Sequence, residues 1–196
     1  MARLGIIDSP PPPVSDPPSV TTPRPAPERI FLIGPMGAGK TTVGRRLAAL
    51  LHYPFVDCDE ELRARTGVDI PYIFEREGEA GFRERERRLI GELTERSPIV
   101  LSTGGGAVLD AGNRHHLHAR GQVIFLNTPT REILRRLRHS KTRRPLLETA
   151  DPAATLRALA AERNPLYRET AHLVIDTDAR NPRAVAHRIA RQLQAR

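Results

Sequence analysis

Tryptophan is absent from the 196 residues, cysteine occurs once, and aromatic side chains make up only 4% of the chain. A single thiol, Cys58, excludes an internal disulfide and fits a reducing compartment. So few aromatics imply a core of Leu, Ile, Val and Ala. They also weaken any reading as a single-strand binder built on stacked bases. No apolar run approaches the length of a membrane span, and the N-terminus lacks the apolar stretch of a secretory signal. A cytoplasmic location without membrane contact is expected. The length suits one domain with enough chain to bury a sizeable core.

What is abundant is positive charge and proline. The formal net charge is +8, which favours anionic partners. Nucleic acid is one such partner, and a nucleoside triphosphate with an acidic small molecule is another. A well-solvated basic surface explains the charge equally well. Residues 1–28 hold nine of the eighteen prolines, including Pro10 to Pro13. Proline removes backbone donors and fixes φ, so this stretch reads as a disordered or polyproline-like tail. Such a tail serves as a plain linker or as a ligand for an SH3-like partner.

From residue 29 to residue 196 the pattern is that of a single α/β domain. Short runs that are apolar throughout recur at residues 30–33, 55–56, 99–101, 123–126 and 173–175, as buried parallel strands require. Helical spacing lies between them. Residues 40–51 place Val43, Leu47, Leu50 and Leu51 on one face, and Phe82, Leu89, Ile90 and Leu93 form a second apolar stripe. Strands alternating with helices predict a parallel sheet with helices on both faces.

One segment carries chemistry by itself. Gly34-Pro35-Met36-Gly37-Ala38-Gly39-Lys40-Thr41 fits G-x-x-x-x-G-K-[ST], with an apolar strand before it and a helical pattern after it. The glycines let backbone N–H groups turn around phosphate oxygens, and the helix N-terminus adds its positive end. Lys40 reaches the β- and γ-phosphates, and the Thr41 hydroxyl is placed to ligate Mg²⁺. The loop says nucleotide binding and leaves the acceptor open.

Other segments address the acceptor. Asp57 and Asp59 leave the end of the second strand, where a sheet of this kind presents its ligand crevice. One carboxylate there holds Mg²⁺ through water and the other an acceptor hydroxyl, unless both simply cap a helix beginning near Glu60, where Asp59 makes a fair N-cap. Arg83 and Glu86 stand at i and i+3 and pair, or else belong to an ordinary charged helix face. Thr103-Gly104-Gly105-Gly106 ends the third strand and allows close approach of backbone to ligand, or makes a flexible turn. Arg143-Arg144-Pro145-Leu146-Leu147 follows a very basic stretch and reads as a lid with an arginine for the transferring phosphate, or as a solvated loop. His115, His116 and His118 lack the second ligand cluster that a structural zinc requires.

Taken in order, these segments resemble shikimate kinase. The resemblance rests on the P-loop, F-x-D-x-D at residues 55–59, F-R-x-x-E at residues 82–86, G-G-G at residues 104–106, R-P-L-L at residues 144–147 and R-x-P-L-Y at residues 163–167. It implies a P-loop kinase fold like that of the nucleoside monophosphate kinases, with a five-stranded parallel sheet, helices on both faces and a mobile lid. It implies ATP-dependent phosphorylation of the 3-hydroxyl of shikimate on the route to aromatic amino acids, with Mg²⁺ as cofactor. By resemblance, Lys40, Asp59 and Arg144 are catalytic. Gly37, Ala38, Gly39, Lys40, Thr41, Thr42, Arg144 and Arg180 hold the nucleotide. Asp59, Arg83, Gly105 and Arg163 hold shikimate, with Ile70 and Phe74 as the apolar wall. Thr41 ligates the metal, with Asp57 acting through water. Either Arg136 or Arg138 stacks on adenine. The expected partners are ATP and shikimate alone, without nucleic acid or membrane, and the expected state is a monomer. A gluconate kinase-like enzyme is the nearest rival, and a nucleotide-dependent nucleic-acid-binding module is a rival of another class.

Overall fold

The computed structural model describes residues 26–138, 149, 151–177 and 181–195. The tail up to residue 25, the R-P-L-L segment with Arg144, and Arg180 lie outside the described residues.

Five strands form one sheet in the order β2-β3-β1-β4-β5. They are β1 (Arg29–Ile33), β2 (Phe55–Asp57), β3 (Ile99–Ser102), β4 (Gln122–Asn127) and β5 (Leu173–Asp176). Every pairing is parallel. The seven helices among the described residues are α1 (Lys40–Leu51), α2 (Cys58–Thr66), α3 (Ile70–Leu93), α4 (Ala111–Arg120), α5 (Thr130–Leu137), α6 (Pro152–Thr170) and α7 (Pro182–Gln194), with a 3₁₀ turn at Ala107–Leu109. The expected α/β class, parallel sheet and strand positions are all present.

The continuous apolar runs are explained by two cores, one on each face. Successive strand residues point to opposite faces. Phe31 and Ile33 enter a core with Phe82, Leu89, Ile90 and Leu93 of α3, Leu117 of α4 and Tyr167 of α6. Ile30 and Leu32 enter the other, with Val43, Leu47 and Ala48 of α1 and Val185, Ala186, Ile189 and Leu193 of α7. With about 25 cal/mol per Å² of apolar surface removed from water, such two-sided burial is what holds the central strands.

The face of α1 differs from expectation at one residue. Leu50 is 39% exposed, while Lys40, Gly44 and Ala48 are buried with Val43 and Leu47. The cause is a close approach. A Cβ on Gly44 would stand 2.4 Å from the Phe55 ring and 3.0 Å from Leu32. The helix is drawn onto the sheet along its glycine and alanine side, which turns Leu50 outward.

At the other end of the sheet, the lead-in to β1 is already tied down. Ile99 N donates to the Glu28 carbonyl at 2.7 Å, and the Tyr53 hydroxyl donates to the Ala26 carbonyl at 3.2 Å.

Candidate active site at the carboxyl ends of the strands

β1 lies at the centre of the sheet, and its successors lie on opposite sides of it. A parallel sheet opens its ligand crevice at such a switch point, outside the carboxyl ends of the strands. A cleft of about 730 Å³ is found there. Its walls include Gly37, Gly39, Lys40, Thr41 and Thr42 on one side and Asp59, Arg83, Gly105 and Arg163 on the other.

The loop between β1 and α1 takes the shape its glycines permit. Gly37 has φ 74° and Gly39 φ 95°, values that side chains rarely adopt. Gly39 is the N-cap of α1, so the N-terminus of that helix opens onto the cleft, and Ala38 beside it is buried. Lys40 is buried, and its ammonium donates to the Gly34 carbonyl at 2.7 Å and the Pro35 carbonyl at 3.0 Å. The Thr41 hydroxyl donates to Asp57 Oδ2 at 2.7 Å.

Asp57, not Asp59, caps the second helix. That helix begins at Cys58, and Asp57 Oδ1 accepts from Asp59 N at 3.0 Å and Glu60 N at 3.4 Å. Its extended backbone, φ −106° and ψ 124°, is the ordinary N-cap geometry. The cap on Oδ1 leaves Oδ2 for Thr41, so one carboxylate serves both. Asp59, in the first turn, lines the cleft. The buried Cys58 thiol between them is pushed up by burial and then by Glu86 and the aspartates beside it, which leaves it a protonated packing group.

The far wall comes from α3, from the glycine turn after β3 and from α6. Gly78 breaks α3 with φ 69° and ψ −175°. The break folds Phe74 onto Phe82, ring centroids 4.7 Å apart, and Ile70 and Phe74 line the cleft. Arg83 Nη1 donates to Glu86 Oε2 at 2.7 Å, and Arg83 Nη2 donates to Glu79 at 2.9 Å. Glu86 is 2% exposed, and its Oε1 has no hydrogen-bond partner among the described residues. Burial pushes the Glu86 carboxyl up, against the pull of Arg83.

The three glycines are there for room. A Cβ on Gly104 would stand 2.3 Å from Glu86 Oε1, and one on Gly106 would stand 2.2 Å from Arg83 Nη2. Gly105 lies against the phosphate-side loop, where a Cβ would stand 3.1 Å from Met36 N. The Gly105 carbonyl accepts from Arg163 Nη1 at 3.5 Å and from the Tyr167 hydroxyl. Arg163 is 6% exposed, and its Nε has no hydrogen-bond partner among the described residues. Although Arg163 Nε also stands 3.6 Å from Glu162 Oε2, a buried arginine N–H and a buried carboxylate oxygen left without a hydrogen bond are expensive in a finished interior. Both belong to side chains that line one cleft.

A model of the family described as shikimate kinase matches residues 36–194. The chain belongs to the shikimate kinase family. Among its curated relatives, the shikimate kinase of Halorhodospira halophila is 56% identical over 168 residues, covering 86% of this chain and 94% of that one. That of Nitrosospira multiformis is 52% identical over 170 residues, 87% of each chain. Among solved structures, shikimate kinase from Acinetobacter baumannii in complex with shikimate superposes with a TM-score of 0.82 at 48% identity, covering 89% of this chain and 94% of that one.

Within the shikimate kinase pattern, the fold gathers the F-x-D-x-D, F-R-x-x-E, G-G-G and R-x-P-L-Y segments around one cleft. Arg144 and Arg180 lie outside the described residues. Of the two arginines offered for adenine, Arg136 lines the cleft and Arg138 caps the end of α5. Two further residues near the cleft have no role in the sequence reading, although Tyr167 closes the R-x-P-L-Y segment. Tyr167 holds the Gly105 carbonyl and stacks on Phe125, with ring centroids 5.0 Å apart. Glu132 pairs with Arg135 and Arg136. Its i, i+3 and i+4 spacing is a signal that could have found it, whereas nothing local marks the Tyr167 contact.

Proposed function

We infer that this chain transfers the γ-phosphoryl group of ATP to the 3-hydroxyl of shikimate, giving shikimate 3-phosphate and ADP in aromatic biosynthesis. The observation that carries the reading is one cleft holding a P-loop on one wall and two arginines, Arg83 and Arg163, on the other. A planar carboxylate suits forked guanidinium donors. Arg163 Nε makes no hydrogen bond among the described residues and stands 3.6 Å from Glu162 Oε2, so it can still donate to such an anion, and Glu86 braces Arg83 one helical turn away.

The chemistry asks for positioning and charge neutralisation. The substrate hydroxyl oxygen bonds to the γ-phosphorus in line, the bond from that phosphorus to the β–γ bridging oxygen breaks, and ADP leaves. Asp59 orients the hydroxyl, whose proton passes to its carboxylate or to a phosphate oxygen. Lys40 leaves its loop carbonyls to meet the phosphate charge, and Arg144 joins it there. Gly37, Ala38, Gly39, Thr42 and Arg180 hold the rest of the nucleotide, and the Gly105 backbone borders the substrate. Thr41 and Asp57 offer adjacent hard oxygens, 2.7 Å apart, a set that suits Mg²⁺ bound mainly by phosphates and water. Bound there, the ion neutralises charge on the β- and γ-phosphates.

Among the described residues, no helix is long and apolar enough to cross a membrane. The large apolar side chains exposed among the described residues, Leu50, Tyr72 and Val174, fall on three different elements, as befits a monomer. A cytoplasmic monomer acting on small anions, with no nucleic-acid partner, completes the reading. Coupled ADP release with and without shikimate, and across a panel of hydroxy acids, tests it. Release should depend on shikimate. Equal release without it, or faster turnover with another acceptor, would overturn the assignment.

A further inference from the structure

Arg136 is one of the two arginines that the family pattern offers for stacking on adenine, yet its hydrogen-bonding edges are all engaged with protein. Nε donates to Glu132 Oε1 at 2.8 Å. Nη1 donates to the Ala38 carbonyl at 3.0 Å and the Gly37 carbonyl at 3.3 Å. Nη2 donates to the Thr177 carbonyl at 2.7 Å. One guanidinium thus ties together α5, the phosphate-binding loop and the end of β5.

Two of the bonds fall where they matter for the loop. A trans peptide carries its N–H opposite its C=O. Holding the Ala38 carbonyl on the outer side therefore fixes the direction of the Gly39 N–H at the mouth of α1. Gly39 stands at φ 95°, and the peptide before it has no side chain on the glycine to restrain it. A charge-assisted bond to the carbonyl supplies that restraint. It also puts positive charge against the loop, at the cleft that Arg136 lines.

Glu132 holds the guanidinium in this pose. Its side chain is 10% exposed and meets both Arg135 and Arg136. The bond from Arg135 above all, then that from Arg136, holds its carboxyl at about 2 against the opposing effect of burial. It stays ionised at any pH at which the enzyme would be assayed.

We propose that Arg136, braced by Glu132, is a positioning residue that sets the phosphate-binding loop by clamping the outward carbonyls of Gly37 and Ala38, so that it governs the affinity for a polyphosphate chain whether or not a base is attached. The proposal rests on the reading of the Gly34-to-Thr41 loop as the nucleotide phosphate site. Stacking on adenine uses the face of the guanidinium and phosphate-loop clamping uses its edges, so the two roles separate by ligand.

The test is calorimetric titration of the full chain with MgATP, with magnesium tripolyphosphate, which has no base, and with shikimate. The variants are Arg136→Lys, which keeps the charge and loses the fork, and Glu132→Gln, which keeps the shape and frees the guanidinium. Arg136→Lys should weaken ATP and tripolyphosphate alike, by roughly tenfold for the loss of one to two charge-assisted bonds. Glu132→Gln should weaken both in the same ratio by a smaller factor, and its conservative shape guards against a folding defect. Shikimate affinity should be unchanged in both variants, and the KM for ATP should rise with the KM for shikimate fixed. Tripolyphosphate affinity unchanged while ATP affinity falls would assign Arg136 to the base alone and overturn the proposal. Loss of shikimate affinity in step with ATP would show a general structural role and overturn it too. A wild-type chain that binds neither ATP nor tripolyphosphate would instead overturn the nucleotide reading beneath it.

Discussion

Arg83 and Arg163 show how a surface-like residue becomes a cleft residue through what surrounds it. Arg83 sits between Glu79 and Glu86, on α3, and Arg163 sits nearly buried on α6 against the Gly105 carbonyl. Arg83→Lys and Arg163→Lys keep the charge and lose the fork. Each should cost about 1.5–3 kcal/mol per charge-assisted bond, or roughly ten- to a hundredfold in kcat/KM for shikimate, with the KM for ATP little changed. Kinetic constants for both substrates check this. If the ATP constants worsened while those for shikimate held, the two arginines would serve the nucleotide. Glu86 gives a second test at this scale. Burial raises its carboxyl in the folded chain, so the native state holds that proton more tightly than the unfolded state does. Stability therefore falls as pH rises from the ordinary glutamate range through the raised folded value. Glu86→Gln should flatten that part of the stability–pH profile, measured by urea unfolding at several pH values, while raising the KM for shikimate because Arg83 loses its ionic brace. A profile as steep in the variant as in the parent would place the titration elsewhere.

At the scale of elements, α3 and α6 both break a local rule to build the far wall. α6 keeps Pro165 in its interior against an intrinsic cost of about 3 kcal/mol. The buried side chains of Leu156, Arg163 and Tyr167 outweigh it. α3 is broken at Gly78, where the backbone conformation is essentially glycine-only and an added Cβ would meet nothing within 4 Å. Gly78→Ala therefore tests the backbone alone. Strain of about 1–3 kcal/mol should lower the melting temperature by a few degrees, at roughly 2–4 °C per kcal/mol for a chain of this size. Because the break sets Phe74 on Phe82, the KM for shikimate should rise more than that for ATP. Thermal melts and kinetics of the one variant read both effects, and an unchanged melting temperature would show that the break carries no strain.

For the whole molecule, the question is where the folded domain starts. The Ala26 and Glu28 carbonyls already accept hydrogen bonds from Tyr53 and from Ile99. A chain beginning at Ala26 should melt like the full chain. One beginning at Arg29 loses both bonds, at about 0.5–1.5 kcal/mol each, and should melt several degrees lower at roughly 2–4 °C per kcal/mol. Equal melting of the two truncations would show that these bonds add nothing. A full chain that melts well above the one beginning at Ala26 would show that residues 1–25 pack on the domain.

The amino-acid sequence by itself determined the parallel α/β architecture, because strands covered on both faces must be apolar at every position and five such runs stand between helical stripes. It determined the glycine-rich loop that we read as the phosphate site, because glycine spacing, the lysine and the threonine all lie within eight consecutive residues and need no distant partner. It also carried the family pattern, in short segments whose order along the chain is itself informative. Only the tertiary structure decided which carboxylate caps α2, since Asp57 and Asp59 differ only in where the helix starts, and the sheet settles that. The same holds for Leu50, turned outward by the approach of Gly44 to Phe55 and Leu32, and for Tyr167, which meets Gly105 from 62 residues away. The glycines at 104 and 106 make the point most sharply. Their role is the space they leave for Glu86 and Arg83, and a volume shared between separate segments has no signature in either one.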